Sequence, residues 1–484
     1  MSKPRLTIKA GSDGRYSVLN ARAQAYEGAT QGRRAAGMVA PPSGPNRALN
    51  ASLSTLRNRS RHAFRNNPWI ERAISRNVSN EVGTGIVPLF ESSVPEFNEA
   101  LEQLWLPWTG ESCADGSLDF YGQLAQAVRT RRMSGEVFIR VRYRPFAWGL
   151  TLPIQLQVIE PDHVPLDLNQ DLANGNRIIA GKEYTKRGRL AAVWMYPEHP
   201  QDGYSVGANM PVRVPADQII HHYLPLRPGQ VRGEPDIVPA LLRAHTYDNY
   251  EDAELRRKET RAPFTAFLQK EYSGDSDWQF DPITGEPVTD EDGLPEINAQ
   301  PGTILTGLPG EKLTLFDGDN TGSGYKDYQK QQLLAIAAGA KSLYQLMTND
   351  WEGVNDRIYR AMIQEYRREI EMAQDHLCIH QICERVGFWF TDQAVAVGLA
   401  SAPDYAARYN DYNKRDWRTH RWPHIHPTQD VEATVTEIEH DLESHDAAVA
   451  KRGYRAGDVQ AKNVESRKRK RDLEKKAGLQ PEDA

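Results

Sequence analysis

The chain has 484 residues, of which 39% are hydrophobic and 26% are charged, and its formal net charge is −6. These proportions are typical of a folded protein of several domains and exclude a mainly disordered chain. The longest apolar run, at residues 333–340, is far shorter than the ~20 residues that a membrane-spanning helix requires. The negative charge also argues against a protein that grips nucleic acid over its whole surface, because such proteins are usually strongly basic.

The cysteines and the N-terminal residues give further limits. Cys113, Cys378 and Cys383 fit a reducing compartment and indicate no disulfide framework. The first residues have no apolar core, so we expect no secretory signal there. Residues 1–45 are rich in Gly, Ala, Arg and Pro and are predicted to form a flexible arm.

Helices are predicted next in the chain. Asn67 can cap the second of two consecutive helices, and Pro68 suits its first turn because the missing N–H is not needed there. Gly83 and Gly85 end this helix. A further helix is expected over residues 120–133.

After this helix the pattern changes from helical to alternating, which predicts a half-buried strand over 137–144. A second strand at 154–158 lies across a turn, so a hairpin is expected. Two more strands flank residues 186–189, and another covers 218–223. The predicted fold class is therefore α+β, with a body built on antiparallel strands. In the first strand Val137, Ile139, Val141 and Tyr143 alternate with Phe138, Arg140, Arg142 and Arg144.

From Asp236 onward the chain is predicted to be mainly helical, and Asp236 can cap the first of these helices. Residues 271–302 interrupt the pattern with Gly, Pro and acidic residues. A second helix begins near Tyr325, and a third covers 356–386. The apolar stripes are narrow, which suits packing beside a neighbour better than burial in a core. They consist of Ile237, Ala240, Leu241, Ala244 and Tyr247 in the first helix, and Tyr328, Gln332, Ile336, Ala340 and Leu343 in the second.

Motifs of nucleotide and hydrolase chemistry are missing from the sequence. The nearest candidate for a phosphate-binding loop, residues 175–183, is one residue too long and has Glu183 where a hydroxyl is required. We therefore reject an ATPase. The sequence also has no Gly-x-Ser-x-Gly segment, so no hydrolase nucleophile is predicted.

The sharpest metal-site candidate is a trio on the third predicted helix. His376, His380 and Cys383 recur at i, i+4 and i+7, which would place three zinc ligands on one helical face. Structural zinc usually has four ligands, so we favour a face that binds no metal and expect no cofactor. The same interpretation applies to two weaker candidates, the His221-His222 pair and His424 with His426.

Two functional alternatives stay open. The first is a metal-dependent nuclease, whose metal ligands would be Asp248, Glu251, Asp252 and Glu254. These carboxylates spread around the helix, and this pattern favours a salt-bridged surface instead. The tail from about residue 428 is predicted to be helical and charged. Its residues 465–476 include seven Lys or Arg and could act as a DNA-binding module or form a solvated helix.

Several short segments occur in an order that matches one protein family. They are Arg65-Asn66-Asn67-Pro68, Asn77-Val78, Val82-Gly83-Thr84-Gly85-Ile86, Ser134-Gly135-Glu136-Val137-Phe138, Val158-Ile159-Glu160-Pro161-Asp162, Ile220-His221, Arg227-Pro228-Gly229-Gln230-Val231-Arg232-Gly233, Asp248-Asn249-Tyr250-Glu251-Asp252-Ala253-Glu254-Leu255, Leu308-Pro309-Gly310-Glu311 and Trp422-Pro423-His424-Ile425-His426-Pro427. Over about residues 20–475 the chain resembles the portal proteins of lambda-like tailed bacteriophages.

The resemblance implies a portal fold in a homo-oligomeric ring, typically of twelve subunits, at one vertex of the capsid. Double-stranded DNA would pass through the ring during packaging and ejection. The implied parts are a flexible arm (1–45), a wing or body (46–235), a stem helix (236–263), a clip (264–316), a second stem helix (317–343), a tunnel loop (344–357), a channel helix with more body (358–427) and a crown (428–484).

The resemblance also implies partners and a location. The ring would dock the large subunit of terminase and later the head–tail connector, and it would contact the major capsid and scaffolding proteins. It implies a structural protein of the virion, without enzymatic activity or membrane contact, assembled in the host cytoplasm. Packing between stem helices of neighbouring subunits is expected from Ile237, Leu241, Ala244, Tyr325, Ile336 and Ala340.

One segment departs from the family. Relatives often have Asn-Tyr-Ser-Ser-x-Arg after the second long helix, whereas this chain has Val354-Asn355-Asp356-Arg357. We expect Gln345, Asn349, Asn355 and Arg357 to be the loop residues that contact DNA. A mildly acidic channel with few such contacts would let DNA slide, because a uniform grip on phosphate would act as a brake.

Overall fold

The computed structural model describes residues 42–202, 210–261, 324–420, 422, 427–445, 448–449 and 456–476, with short pieces at 9–10, 16–17, 37, 267–269 and 312–314. The predicted acidic insert at 271–302, His424 and His426 lie outside the described residues, as does most of the N-terminal arm.

The helices begin at residues that suit their ends. Asn67 caps α2, because its Oδ1 accepts a hydrogen bond from Ile70 N at 2.9 Å, and Asp119 caps α4 in the same way through Gly122 N at 2.7 Å. Among the described residues, no helix is both long enough and apolar enough to cross a bilayer. The α-helices are α1 (Arg47–Asn66), α2 (Pro68–Val82), α3 (Pro95–Glu111), α4 (Phe120–Ser134), α5 (Leu241–Arg261), α6 (Tyr325–Gly339), α7 (Tyr344–Thr348), α8 (Asp356–Ala373), α9 (Glu384–Ala396), α10 (Tyr409–Tyr412), α11 (Pro427–Glu439) and α12 (Ala456–Lys476).

The strands pair antiparallel in every described sheet, which confirms the α+β class, and the predicted hairpin between residues 137–144 and 154–158 is present. A three-stranded sheet has the order β11-β4-β5, and a five-stranded sheet has the order β10-β9-β8-β7-β6. Smaller sheets pair β1 with β2, β3 with β14, and β12 with β13. The strands are β1 (Lys9–Ala10), β2 (Tyr16–Ser17), β3 (Val87–Phe90), β4 (Glu136–Tyr143), β5 (Ile154–Ile159), β6 (Gln170–Asp171), β7 (Arg177–Ile179), β8 (Lys182–Tyr184), β9 (Leu190–Met195), β10 (Val212–Pro215), β11 (Ile219–Tyr223), β12 (Phe267–Gln269), β13 (Lys312–Thr314) and β14 (Arg415–Arg418).

The main hydrophobic core lies between one face of the three-stranded sheet and helices α2, α3, α4 and α9. Trp105 is at its centre, with ring centroids 4.9 Å from Phe390 and 5.5 Å from Phe120 in edge-to-face geometry. Trp108 is fully buried, and its Nε1 donates to Ile154 O at 3.1 Å. Since a buried aromatic ring needs a partner for its polar atom, this bond lets helix α3 pack directly on the sheet.

The other face of β4 is only partly open to solvent, contrary to the simple alternation in its sequence. Phe138 is fully buried in a second core. There it packs with Val193 and Met195 of the five-stranded sheet and with Ile219 of β11. Tyr143, predicted on the apolar face, is 57% exposed because the strand ends there. The half-buried pattern therefore holds only for the end of the strand that contains the arginines.

Asp236 does not cap a helix. A short 3₁₀ turn, Val238–Ala240, precedes α5, and the Asp236 carboxylate instead accepts from Arg132 Nη1 at 3.0 Å and Lys341 Nζ at 2.8 Å. Charge-assisted hydrogen bonds from these two cations satisfy the buried carboxylate. The predicted cap is therefore wrong, although the predicted helix is present.

The predicted face of the second long helix also needs correction. Helix α6 ends at Gly339 and buries Leu333, Ile336 and Ala337, whereas Tyr328 is 44% exposed. The buried face is rotated from the predicted one because α6 packs its apolar side against the residues that precede α5.

The third predicted helix is present but is not a uniform α-helix. Helix α8 continues into a π-helix, Gln374–Cys383, and then into α9. A π-helix closes its hydrogen bonds between residues five apart and is wider than an α-helix. Residues spaced for one α-helical face therefore do not stay aligned within it. The predicted helical tail is confirmed by α11 and α12.

Candidate functional site

The loop between α6 and α8 is compact and ordered by its own hydrogen bonds. Lys341 has a positive φ of 53°, and the short helix α7 follows. Asn349 ends α7 with φ of 62°, and its N–H donates to Gln345 O at 2.9 Å. Asn349 is one of the few non-glycine residues that adopt this left-handed conformation readily. The loop can thus present side chains from a defined backbone.

Side chains of helix α2 hold this loop in place. Arg72 donates through Nε to Leu346 O at 3.2 Å and through Nη2 to Asn349 Oδ1 at 3.0 Å. Asn77 Nδ2 donates to Lys341 O at 3.0 Å, and Asn77 Oδ1 accepts from Tyr366 OH at 2.9 Å. Asn77 is almost fully buried, so it joins α2, the loop and α8 through groups that would otherwise lack partners.

The tip of the loop has its own contacts. Tyr344 OH donates to Asp350 Oδ2 at 2.8 Å, and Lys326 Nζ forms a 2.6 Å ion pair with Glu352. The pKa of Asp350 is lowered, first by the backbone N–H of Glu352 and then by Tyr344. Trp351 packs edge-to-face on Tyr359 at 5.5 Å between ring centroids. These contacts connect the tip to both α6 and α8.

A buried ion network lies behind the loop. Glu81 is fully buried and accepts from Arg131 Nη2 at 2.8 Å and Arg132 Nη2 at 2.5 Å. Arg132 also pairs with Asp236, which in turn pairs with Lys341 at the start of the loop. Burial would raise the pKa of Glu81, but the two arginines hold it below its usual value. A chain of alternating charges therefore connects the core to the loop.

A second buried network surrounds Glu136 at the start of β4. Its carboxylate accepts from Arg232 Nε at 2.7 Å, from His221 Nε2 at 2.7 Å and from Arg57. Burial would raise the pKa of Glu136, but Arg232, Arg57 and His221 hold it well below its usual value. Lys182 Nζ lies 2.8 Å from His221 Nδ1, and burial lowers the pKa of Lys182 to about 7.

The sequence candidates for metal binding are not brought together. His376 and His380 are exposed, whereas Cys383 is fully buried, because they lie in the π-helix. His221 is engaged with Glu136 and Lys182, and His222 Nδ1 lies 2.9 Å from Gln381 Oε1.

One geometric group of possible ligands does occur among the described residues. Glu160, Asp162 and His199 lie close enough together to hold an ion. Arg61 already forms ion pairs with both carboxylates. The Arg61 guanidinium neutralises the carboxylate charge that would attract a metal cation. We therefore interpret the group as a salt-bridged surface.

The nuclease candidates have separate partners. Asp248 accepts from Asn67 Nδ2 at 2.7 Å, Glu251 accepts from Tyr247 OH at 2.6 Å, and Glu254 pairs with Arg257 at 3.1 Å. Asp252 is exposed. These carboxylates do not converge on a shared point, as a two-metal site requires.

A family model described as phage portal protein, lambda family, matches residues 31–374. The chain belongs to this family. It is 26% identical over 424 residues to the probable portal protein of Halomonas phage phiHAP-1, in a match that covers 84% of this chain and 78% of that protein. It is 21% identical over 522 residues to portal protein B of Escherichia phage lambda, covering 99% of this chain and 95% of that protein.

Among solved structures, the neck of an empty gene transfer agent particle is similar at 11% identity and a TM-score of 0.46, covering 87% of this chain and 98% of that one. The neck of a native particle gives 12% identity and a TM-score of 0.43, covering 78% and 91%.

The portal-family segments now have physical explanations. Arg232 is fully buried, binds Glu136, and donates to Ala180 O at 2.8 Å. Gly135 has φ of 91°, and a Cβ there would lie 2.5 Å from Gly233 O; a Cβ on Gly233 would be closer still to Gly135 O. The segments around 134–138 and 227–233 therefore form one junction, in which both glycines are required by close backbone approach.

The predicted loop residues of this portal protein lie together but have different roles. Asn355 caps α8, since its Oδ1 accepts from Ile358 N at 2.9 Å, and Asn349 is held by Arg72. Gln345 is half-buried in α7, and Arg357 is exposed in the first turn of α8. Arg72 and Lys341 also hold the loop, and no sequence motif pointed to them. Asn77 belongs to the family segment Asn77-Val78, and this resemblance was the one sequence signal for its role in joining α2, the loop and α8.

The predicted stem residues lie mostly in the core of this chain. The structure buries five of them in this subunit's own core, whereas Tyr325 is half-buried and stacks on Tyr250 at 6.4 Å. The apolar side chains that α5 and α6 leave exposed are others: Leu242, Leu255, Tyr328 and Leu334. The five buried residues are Ile237, Leu241, Ala244, Ile336 and Ala340.

Proposed function

We propose that this chain is the subunit of a portal ring at one vertex of a phage-like capsid, and that double-stranded DNA enters and leaves through the ring. The observation that carries the proposal is the family match over residues 31–374, which includes most of the residues that we assign to the body and all of those that we assign to the two stem helices and the loop. Twelve subunits are the expected number for such a ring.

Helices α5 and α6 are proposed to form the stem. They run antiparallel, since Arg243 Nη1 near the start of α5 donates to Gln332 Oε1 at 2.9 Å, and Lys258 Nζ near the end of α5 lies 4.9 Å from the ring centroid of Tyr325 at the start of α6. Strands β12 and β13, which pair antiparallel, lie between them in the chain. We assign residues 264–316 to the clip, with terminase and then the head–tail connector as its partners.

The loop at 344–357 is proposed to be the part of the channel closest to DNA. A loop fixed on a rigid scaffold is a common way to present binding residues, and Arg72, Asn77 and Lys341 supply that scaffold here. Because the Asn349 side chain binds Arg72 and the Asn355 side chain caps α8, Gln345 and Arg357 are the proposed direct contacts with phosphate. One cation per subunit would guide DNA without gripping it.

The remaining parts follow from the same proposal. Residues 46–235 would form the wing, helix α8 and its continuation would line the channel, and residues 428–484 would form the crown within the capsid. The protein would belong to the virion, contact the major capsid and scaffolding proteins, assemble in the host cytoplasm, and act without catalysis or a cofactor.

Mass measurement of the purified protein together with a nuclease assay tests this function. We expect particles of about twelve subunits, and no cleavage of duplex DNA when Mg²⁺ or Mn²⁺ is added. A protein that stays monomeric at all concentrations contradicts the ring. Metal-dependent cleavage that disappears in the Asp248→Asn, Glu251→Gln variant would favour the nuclease alternative.

A further inference from the structure

Three arginines form a stripe along β4 and the residue that follows it. Arg140 and Arg142 lie on β4, and Arg144 directly after it continues the hairpin ladder, since its N–H donates to Pro153 O at 2.8 Å. The three alternate with the residues that face the core, so their side chains leave the same side of the sheet. Over four residues the stripe is ~13 Å long. We call these three residues the arginine stripe.

The arginine stripe has no acidic counterpart among the described residues. Arg142 donates through Nε to Gln157 Oε1 at 2.8 Å, and Arg144 Nε donates to Gln155 Oε1 at 2.9 Å, so both partners are neutral. Arg140 Nε is buried without a hydrogen-bond partner. Asp115 lines the same cleft as Arg142 and Arg144, but it accepts from Cys113 and Ser117 instead.

The unpaired positive charge of the arginine stripe destabilises the isolated subunit. Burial lowers the pKa of Arg142, and its neighbours Arg140 and Arg144 lower it further. Three like charges without a counter-charge repel one another, and a carboxylate-bearing partner would relieve the repulsion.

Exposed aromatic side chains continue the stripe at the tip of the hairpin. Phe146 is 63% exposed and Trp148 is 59% exposed, and the Arg144 guanidinium lies 5.0 Å from the Trp148 ring centroid. Arg and Trp are the side chains that most often dominate the binding energy of protein interfaces. The stripe therefore ends in an apolar contact point.

Helix α3 presents a surface with the complementary order of charge and apolar groups. Glu96, Glu99, Gln103 and Leu106 share one exposed helical face, and Leu106 is 75% exposed. Neither Glu96 nor Glu99 pairs with a cation in the part of the chain that the structure describes. From Glu96 to Leu106 this face is ~15 Å long, close to the length of the arginine stripe.

The two surfaces lie on opposite sides of one layer. Helix α3 covers the core face of the three-stranded sheet, where Trp108 bonds to Ile154 O, and the arginine stripe leaves the other face of that sheet. Complementary surfaces on opposite sides of a subunit allow a head-to-tail contact, which closes into a ring when the rotation between copies is regular.

We infer that the arginine stripe binds the acidic face of α3 on a second copy of this chain. Arg142 and Arg144 would pair with Glu96 and Glu99, while Phe146 and Trp148 would cover Leu106. This inference rests on the proposed ring, and it locates one contact between neighbouring subunits of that ring.

Charge reversal on each side tests the contact. One variant is Arg142→Glu with Arg144→Glu, and the other is Glu96→Arg with Glu99→Arg. We expect each variant alone to lose rings, because every contact would then join like charges. An equimolar mixture of the two should recover rings with alternating subunits, since each contact in the mixture joins opposite charges. Recovery should fall as salt rises.

The matched control is Arg187→Glu with Arg189→Glu, which changes the net charge equally at exposed positions of the β8–β9 turn. The control should form rings. Rings in either reversed variant alone, or no recovery in the mixture, would overturn the inference while leaving the ring itself intact. Failure of the unaltered protein to form rings would instead overturn the proposed function.

A cysteine pair gives an answer even if a reversed variant does not fold. With Leu106→Cys and Trp148→Cys in one chain, oxidation should produce a ladder of disulfide-linked oligomers. Neither single variant should do so, since Cys113, Cys378 and Cys383 are buried. A ladder supports the contact, and its absence in rings of the folded double variant contradicts it.

Discussion

Arg232 and Glu136 form a fully buried ion pair, with Arg232 Nε donating to Glu136 Oε1 at 2.7 Å. The pair joins two segments that are 96 residues apart in the chain. Arg57 and His221 bind the same carboxylate, so α1, β4, β11 and the segment after β11 meet at one side chain.

Removal of one partner of this pair should be strongly destabilising. For Arg232→Met we expect a loss of about 3–5 kcal/mol, because the Glu136 carboxylate would stay buried with less compensation. Urea unfolding followed by circular dichroism measures the loss. Arg177→Ala, at an exposed ion pair with Asp171, should leave the midpoint unchanged. Equal effects of the two variants would contradict the role given to the network.

Gly135→Ala should prevent correct folding of the junction with Gly233. The new Cβ would lie 2.5 Å from Gly233 O, in a backbone conformation that alanine rarely adopts. We expect insoluble protein or a large fall in melting temperature. Gly110→Ala in α3 is the control, since nothing lies within 4 Å of its Cβ position. It should melt at the same temperature or higher.

The stability of the subunit should rise with pH between about 7 and 10 through Lys182. Its pKa is about 7 in the folded chain against 10.5 in the unfolded chain, so in this window the unfolded chain binds more protons and stability increases with pH. Lys182→Met removes the effect. Relative to the unaltered protein, the variant should gain most stability near pH 7 and least near pH 10. The measurement is the urea midpoint of both proteins at pH 7, 8 and 9, at one protein concentration. If Lys182 does not cause the pH dependence, the midpoints of the two proteins will change with pH in parallel.

Gln345→Ala with Arg357→Ala should alter DNA packaging or retention while rings still assemble. Both side chains lie on the loop without closing it, whereas Asn355 is left intact because it caps α8. The measurement is the amount of DNA retained per particle in a complementation assay. Arg187→Ala, exposed in the β8–β9 turn, should retain a normal amount. Loss of rings in the loop variant would mean that the loop has an assembly role instead.

Local elements could be predicted from the sequence because their causes are local. The Asn67 cap, the glycine after α2 and the hairpin of β4 with β5 each depend on residues close in the chain. Partners that are distant in sequence could not be predicted. Asp236 was assigned to a cap because the sequence does not reveal that Arg132 and Lys341 reach it from elsewhere.

The candidate loop was located from its resemblance to a family and from no feature of its own composition. The structure adds the reason for its shape, which is the anchoring of α7 by Arg72 and of Lys341 by Asn77. The π-helix was also unpredictable, because its sequence fits an α-helix equally well, and it separates His376 and His380 from Cys383.

Negative-stain electron microscopy of the purified protein tests whether this chain forms the proposed ring. We expect rings of about twelve subunits with a central hole wide enough for duplex DNA. A uniform population of small particles with the mass of one 54.6 kDa chain would contradict it.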